Sequence, residues 1–225
     1  MTAQDVARRL PEIPVVRDRS RALAMLDAIL CPEWQYRYYS FNASWGPAQE
    51  LASMRNGCGD EYAIVFSPAG AWVRVFDHES AMSPWGLESG RPWPGVLDTV
   101  PAVFQACVHE PAFTMDGVPM ASACLWRQTT DDRWHTGAIS FPAGQQDPDG
   151  SEWLLELLLD DAPAAYRRFA EDYYELGSLR LAAVQEVYAL RSLTQPMVTA
   201  LNDQLSVADL ADDIAEIGYP TAQPS

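Results

Sequence analysis

The sequence predicts an α+β protein, an antiparallel sheet packed against helices and followed by a carboxy-terminal helical portion. Three observations carry that prediction. The stretch "YAIVFSPAGAWVRVFD", Tyr62 to Asp77, holds two runs of β-branched and aromatic residues around a Pro68/Gly70 turn, which is the pattern of a β-hairpin. After Ser151 the period changes to that of helices, in "APAAYRRFAEDYYE" and "LRLAAVQEVYALRS". Hydrophobic residues make up 48% of the 225 positions and charged residues 20%, enough for a packed core. The division read from this change of character is an α+β core over 1–150 and a helical extension or subdomain over 151–225 packed on it.

Each element follows from local signals. Pro11 and Pro14 interrupt an early helical tendency, and "SRALAMLDAILCP" then predicts a helix capped by Ser20, with Leu23, Leu26 and Leu30 in one stripe and Pro32 as the stop. "EWQYRYYSFNASW" alternates as a strand, with Trp34, Tyr36 and Tyr38 on one face and Tyr39 and Phe41 on the other. "GPAQELASMRNG" predicts a short helix with Pro47 in its first turn and Gly57 at its end. The hairpin comes next, and after it "SAMSPWGLESGRPWPG" reads as an irregular connection pinned by Trp85 and Trp93. Leu97 to His109 predicts a helix, with Pro101 near its start. "MASACLWRQ" and "RWHTGAISF" are strands divided by the "TTDD" turn, the second weakened by Gly137 and Ala138. "PAGQQDPDGS" reads as a solvent loop, and "SEWLLELLLDD" as a short helix or a buried strand. Gly177 separates the two longer helices, and "QPMVTALNDQ" and "SVADLADDIAEIG" add two shorter ones, with Ser206 and Asp209 placed for a capping-box-like pair.

Charge narrows the function classes. There are 31 acidic residues against 15 basic ones, a formal charge of −16, and every basic residue is Arg. So acidic a chain argues against general binding to nucleic-acid backbones, which needs local positive potential. It suits solubility, and it also suits the docking of a basic protein. Cys31, Cys58, Cys107 and Cys124 are too widely spaced for a zinc ribbon, so reduced and mostly buried thiols are expected, with no cofactor implied. The first twenty residues carry charges throughout and lack the apolar segment of a signal peptide. "WLLELLL" is too short to span a bilayer, so a cytoplasmic protein without membrane association is expected.

The chemistry-bearing residues gather at the base of the hairpin. Asp77, His78 and Glu79 can all donate metal ligands, but consecutive strand residues point to alternating faces, so they converge only if the chain bends after the second strand. Asp60 and Glu61 can join them as acid/base carboxylates if the hairpin brings its ends together. Cys58 with His78 makes a thiol mechanism conceivable, but no third group stands out to orient the imidazole. In "NGCGDE", Asn56, Gly57 and Gly59 suit a compact turn, and the segment lacks the Lys and Ser/Thr of a phosphate-binding loop. Arg55 and Arg74 are expected to brace this base as partners of Asp60, Asp77 or Glu79. At the far end, Asp209, Asp212, Asp213 and Glu216 form an acidic helix that is either a solvated face or a surface for a basic partner.

The block "SMRNGCGDEYAIVFSPAGAWVRVFDHES" resembles the central part of uncharacterised bacterial proteins, some of them found near toxin systems and proposed as immunity proteins, with "IAEIGYP" as a weaker terminal marker. The resemblance implies binding without catalysis and carries no active-site assignment. The leading expectation is therefore a non-enzymatic acidic protein that binds a basic protein, such as a toxin to be neutralised. One alternative is a metal- or carboxylate-dependent hydrolase built on Asp60, Glu61, Asp77, His78 and Glu79. The other is a structural module holding an apolar molecule among Trp34, Tyr36 and Trp72.

Overall fold

The computed structural model describes residues 1–160 and 162–221. In chain order the elements are α1 (Ala3–Arg9), α2 (Ile13–Leu30), β1 (Tyr39–Gly46), β2 (Gln49–Arg55), β3 (Glu61–Ser67), β4 (Gly70–Phe76), α3 (Gln105–Val108), β5 (Thr114–Met115), β6 (Val118–Pro119), β7 (Ala123–Gln128), β8 (His135–Thr136), α4 (Ser151–Leu154), α5 (Glu156–Leu159), α6 (Pro163–Tyr173), α7 (Leu181–Tyr188), α8 (Gln195–Leu201) and α9 (Ala211–Ile217). The fold is α+β, with an antiparallel sheet, helices against it and a helical carboxy-terminal region over α6–α9. The residues group into two compact units, neither continuous in sequence: 1–13 with 53–159, and 14–52 with 160–225.

In the first unit the strands run in the order β3-β4-β7-β8. The expected hairpin is present: Ser67 pairs with Gly70 across Pro68 and Ala69, and Tyr62 pairs with Val75 at its base. β4 is buried along its whole length, because β3 and β7 flank it on both edges and side chains cover both faces. Gly70 is required here, since its φ is 136° and an added Cβ would lie 2.1 Å from the Arg127 carbonyl oxygen of β7. β8 is shorter than the strand read over "RWHTGAISF", because Gly137 lies where a Cβ would sit 1.7 Å from the Gly95 carbonyl oxygen, so the Gly95 loop takes the place of further strand pairing. The helix expected from Leu97 to His109 contracts to a 3₁₀ turn at Ala102–Phe104 followed by α3. α1 packs on β7, β8 and α4. It is fastened by the Ala3 N–H to Asp149 (2.7 Å), and just beyond it Trp134 Nε1 donates to the Pro11 carbonyl (2.6 Å) and Arg127 pairs with Glu12 (2.7 Å).

In the second unit several expectations change. α2 begins at Ile13, with Pro14 in its first turn, where the missing N–H has no helical partner to lose. Ser20 is therefore inside the helix, and its hydroxyl donates to the Val16 carbonyl at 2.8 Å where a cap was expected. Trp34 to Tyr36 form a 3₁₀ turn, so the strand starts only at Tyr39. The segment read as a short helix from "GPAQELASMRNG" is strand β2: Ala52 and Met54 are buried at period two, and Pro47 with Ala48 (φ 55°) turns the chain back from β1. Pairing beside β1 outweighs the weak helical preference of Ala, Gln, Glu and Leu there. α6, α7 and α8 pack in succession, and α9 packs on β1. Gly218 ends α9 in a left-handed conformation, and Tyr219 beyond it donates its hydroxyl to the Val187 carbonyl at 2.9 Å. The Ser206/Asp209 pair forms as expected, with the Ser206 N–H and hydroxyl donating to Asp209 Oδ2 at 2.8 and 2.7 Å.

The core of this unit holds a carboxylate. Asp27 is fully buried on α2 and accepts the backbone N–H groups of Tyr38 (3.0 Å) and Tyr39 (2.7 Å) and the hydroxyls of Tyr166 (2.6 Å) and Tyr174 (2.7 Å). Loss of hydration raises its pKa to about 6, and the four donors limit the rise. "SEWLLELLLDD" forms α4 and α5, and its last residue, Asp161, lies outside the described residues.

Candidate metal centre

The loop from Asn56 to Asp60, between β2 and β3, is organised by one side chain. Asn56 Oδ1 accepts the N–H groups of Cys58 (2.8 Å) and Asp60 (3.2 Å), an Asx arrangement that closes the turn. Gly57 and Gly59 take φ of 78° and 117°. At Gly59 an added Cβ would touch the His78 ring at 3.4 Å, so the bare backbone lets the loop lie against the imidazole. Asp60 closes the loop, nearly buried, with Oδ2 accepting from Asn56 Nδ2 at 2.6 Å. Its Oδ1 accepts the His78 backbone N–H at 2.9 Å and faces His78 Nδ1 at 2.6 Å.

The bend that the sequence left open occurs immediately after β4. Asp77 Oδ1 accepts the N–H groups of Glu79 and Ser80, both at 3.0 Å, which folds the chain back on itself and carries His78 toward Asp60. Asp77 is held from the other side as well. Trp153 Nε1 donates to its Oδ2 at 3.1 Å, and Gly150 (φ 73°) approaches so closely that a Cβ would lie 2.4 Å from the Asp77 Cβ. Asp60, Asp77 and His78 thereby each place one ligand atom within 4.8 Å of the others. Donors on a tetrahedral ion with bonds of about 2.1 Å are about 3.4 Å apart, so for one ion to be held by all three their widest separation has to close by up to about 1.4 Å.

The electrostatics follow from the contacts. The hydrogen bond to Asp60 raises the His78 pKa, and the Asp60 and Glu79 charges add to the rise. Burial alone would raise the Asp60 carboxyl, but the hydrogen bonds from the His78 ring and backbone and from Asn56 outweigh it, and the net shift is downward. With Nδ1 as the donor to Asp60, Nε2 is left as the imidazole's acceptor. Glu79 Oε1 lies 3.9 Å from that Nε2 on a side chain that is 86% exposed.

Not every expected residue joins this group. Glu61 points to Arg74, whose NH2 lies 2.7 Å from its Oε1. Arg74 does not brace Asp60, Asp77 or Glu79 as expected: as a buried β4 residue it pairs with Glu61, donates through Nε to the Met120 carbonyl and lies over the Phe113 ring at 5.6 Å. The strand alternation that separates neighbouring faces explains this, since Arg74 and Asp77 differ by an odd number of positions. Arg55 ends β2, directly before Asn56. Cys58 is exposed, against the expectation of mostly buried thiols, while Cys107 and Cys124 are buried. On the acidic helix, Asp213 pairs with Arg37 and Asp209 with Ser206, leaving Asp212 and Glu216 exposed. Trp34 and Tyr36 are 51% and 62% exposed and Trp72 is buried, so an aromatic interior lined by all three is not formed.

The "DPDGS" stretch is not the solvent loop it resembled. Asp149 is buried and accepts from Ala3 N–H and from the Ser151 N–H and hydroxyl (3.0 and 2.6 Å), and burial raises its pKa. Asp147 accepts the N–H groups of Glu152 (3.1 Å) and Trp153 (3.0 Å), and burial raises its pKa to about 6. This loop sets the position of Gly150 and Trp153, and so of Asp77. Two acids, Asp147 and Asp149, followed by a Gly directly before a helix start were its only local signal.

No family model, curated protein or solved structure matches the chain. The geometry of the centre therefore carries the functional reading alone. Among the described residues no helix is long and apolar enough to cross a membrane.

Proposed function

We propose that this protein is a metal-dependent hydrolase centred on Asp60, Asp77 and His78. The convergence of their ligand atoms within 4.8 Å is the observation that supports it. Two carboxylates and an imidazole form a mixed oxygen and nitrogen donor set, which suits Zn²⁺ or Mn²⁺ better than the all-oxygen shells of Ca²⁺ and Mg²⁺. A bound ion of this class supplies a water whose pKa is lowered to about 7, a nucleophile at neutral pH. The chain's own residues hold the donors: Asn56 fixes Asp60, and Gly150 and Trp153 fix Asp77. Glu79, exposed beside His78, is placed to take up a proton.

Titration of metal-stripped protein with Zn²⁺ and with Mn²⁺, read by calorimetry and native mass spectrometry, tests this. One equivalent is expected to bind, His78→Ala to lower affinity at least about a hundredfold, and Glu79→Ala to change it less than about tenfold. Hydrolysis of p-nitrophenyl acetate or bis-p-nitrophenyl phosphate should follow the metal. Absence of binding to the folded wild type overturns the reading.

A second reading keeps the binding of a basic protein, supported by Asp212 and Glu216. They lie four positions apart on α9, both exposed and without an ion pair among the described residues. Capture of a basic bacterial toxin that weakens with salt and with Asp212→Asn plus Glu216→Gln supports it, and capture indifferent to both rejects it.

A further inference from the structure

A concavity of the first unit, separate from the metal centre, has the composition of a ligand site. It encloses about 440 Å³ and is bounded by the Arg91–Trp93 loop with Leu97 and Asp98, by Gln105, Val108 and His109, and by the β5–β6 turn at Gly117–Pro119. A space of this size lies within the range of small-molecule pockets, about 300–1,000 Å³.

The walls are held in place. Trp93 Nε1 donates to the Ser140 carbonyl at 3.0 Å, Asp98 Oδ2 accepts the Gly95 N–H at 2.9 Å, and Gln105 Nε2 donates to the Val100 carbonyl at 2.8 Å. Asp116 and Gly117 both have positive φ, 51° and 77°, the torsions of a tight two-residue hairpin turn, and Met115 pairs with Val118 behind them. The polar groups of the lining are therefore partly committed to the wall itself. Two are not: the Arg91 guanidinium and the His109 ring have no hydrogen-bond or ion-pair partner among the described residues. In a chain with 31 acidic residues, Arg91 sets a positive charge at the edge of this pocket, where Asp98 is the carboxylate of the lining.

We propose that this pocket binds a small organic acid with an apolar body. Its carboxylate pairs with Arg91 through the two-pronged contact that a guanidinium makes with a carboxylate, His109 adds a hydrogen bond, and the body lies among Trp93, Leu97, Val108 and Val118. Asp98 opposes a second negative charge, which selects monoanions over dianions.

Saturation-transfer NMR of the full chain with phenylacetate, phenylacetamide and phenylmalonate tests the proposal. Phenylacetate is expected to bind at least about tenfold more tightly than either of the others. Arg91→Ala should weaken phenylacetate at least about tenfold and bring it level with the amide. Val118→Trp, which fills the pocket, should abolish the signal, and an unchanged melting profile establishes that each variant is folded. Equal binding of acid and amide, retention of binding in the folded Val118→Trp protein, or no transfer to millimolar phenylacetate in the wild type overturns it.

Discussion

Asp60→Asn is expected to reduce affinity for Zn²⁺ at least about a hundredfold and to return the His78 pKa toward 6.5, the ordinary value for an imidazole. In the wild type the carboxylate accepts from the His78 ring, the His78 backbone and Asn56 at once. An amide in its place keeps one acceptor and turns an NH₂ group toward another donor, so either His78 or Asn56 loses its bond. The proton count has a sign that the experiment can read. Because His78 titrates above its unfolded value, the pair's contribution to folding is complete below about pH 6.5 as far as the imidazole is concerned and is lost as pH rises through the folded pKa. Asp60, lowered, contributes above about pH 3.8 and loses its share as pH falls through its own folded pKa. A histidine-ring NMR titration follows the first of these directly. If the His78 resonance titrates at the same pH in the wild type and in Asp60→Asn, the carboxylate does not govern the imidazole and the centre loses its organising contact.

Asp27→Ala is expected to destabilise the second unit by about 4 kcal/mol, because two backbone N–H groups, the buried Tyr166 hydroxyl and the half-buried Tyr174 hydroxyl lose their common acceptor. Hydrogen exchange at the Tyr38 and Tyr39 amides measures this locally, and an unchanged protection factor would sink the assignment. The pH dependence runs opposite to that of a salt-bridged Asp. With its pKa raised from 3.8 to about 6, folded Asp27 holds a proton that the unfolded chain has already released. Stability therefore falls as pH rises from about 4 to about 6, by about 3 kcal/mol at about 1.4 kcal/mol per pKa unit. Asp147, also raised to about 6, adds to the same slope. Asp27→Asn removes the Asp27 part of that slope, and urea unfolding across this pH range distinguishes the two contributions.

How far the candidate centre could be read in advance depended on the range of the interactions involved. Asn56, Gly57, Gly59 and the Asp77–Glu79 triplet announced themselves because turn chemistry acts over two or three residues. The sequence posed the bend after β4 as a condition, and Asp77 meets it by accepting from Glu79 and Ser80. Whether Asp60 or Glu61 would face His78 was open, since adjacent residues differ only by which side of β3 they fall on. The pairing of Arg74 with Glu61 leaves Asp60 for His78. The third support of the centre was invisible: Trp153 and Gly150 reach Asp77 from 76 and 73 positions away, the latter through a loop that reads as solvent-exposed.

By itself the sequence determined the α+β class, the β3–β4 hairpin, the helical carboxy-terminal region and the Ser206/Asp209 cap, since each rests on periodicity or on contacts within a few residues. Tertiary structure alone decided that "QELASMR" is a strand, that β8 is only two residues long and that Asp27 is a buried acceptor. The first depends on an edge of β1 to pair with, the second on a loop that occupies the adjoining space, and the third on tyrosines 139 and 147 positions downstream. The physical reason is common to all three. A backbone or side-chain hydrogen-bonding group must be satisfied once buried, and which partner satisfies it is settled by what the folded chain brings alongside.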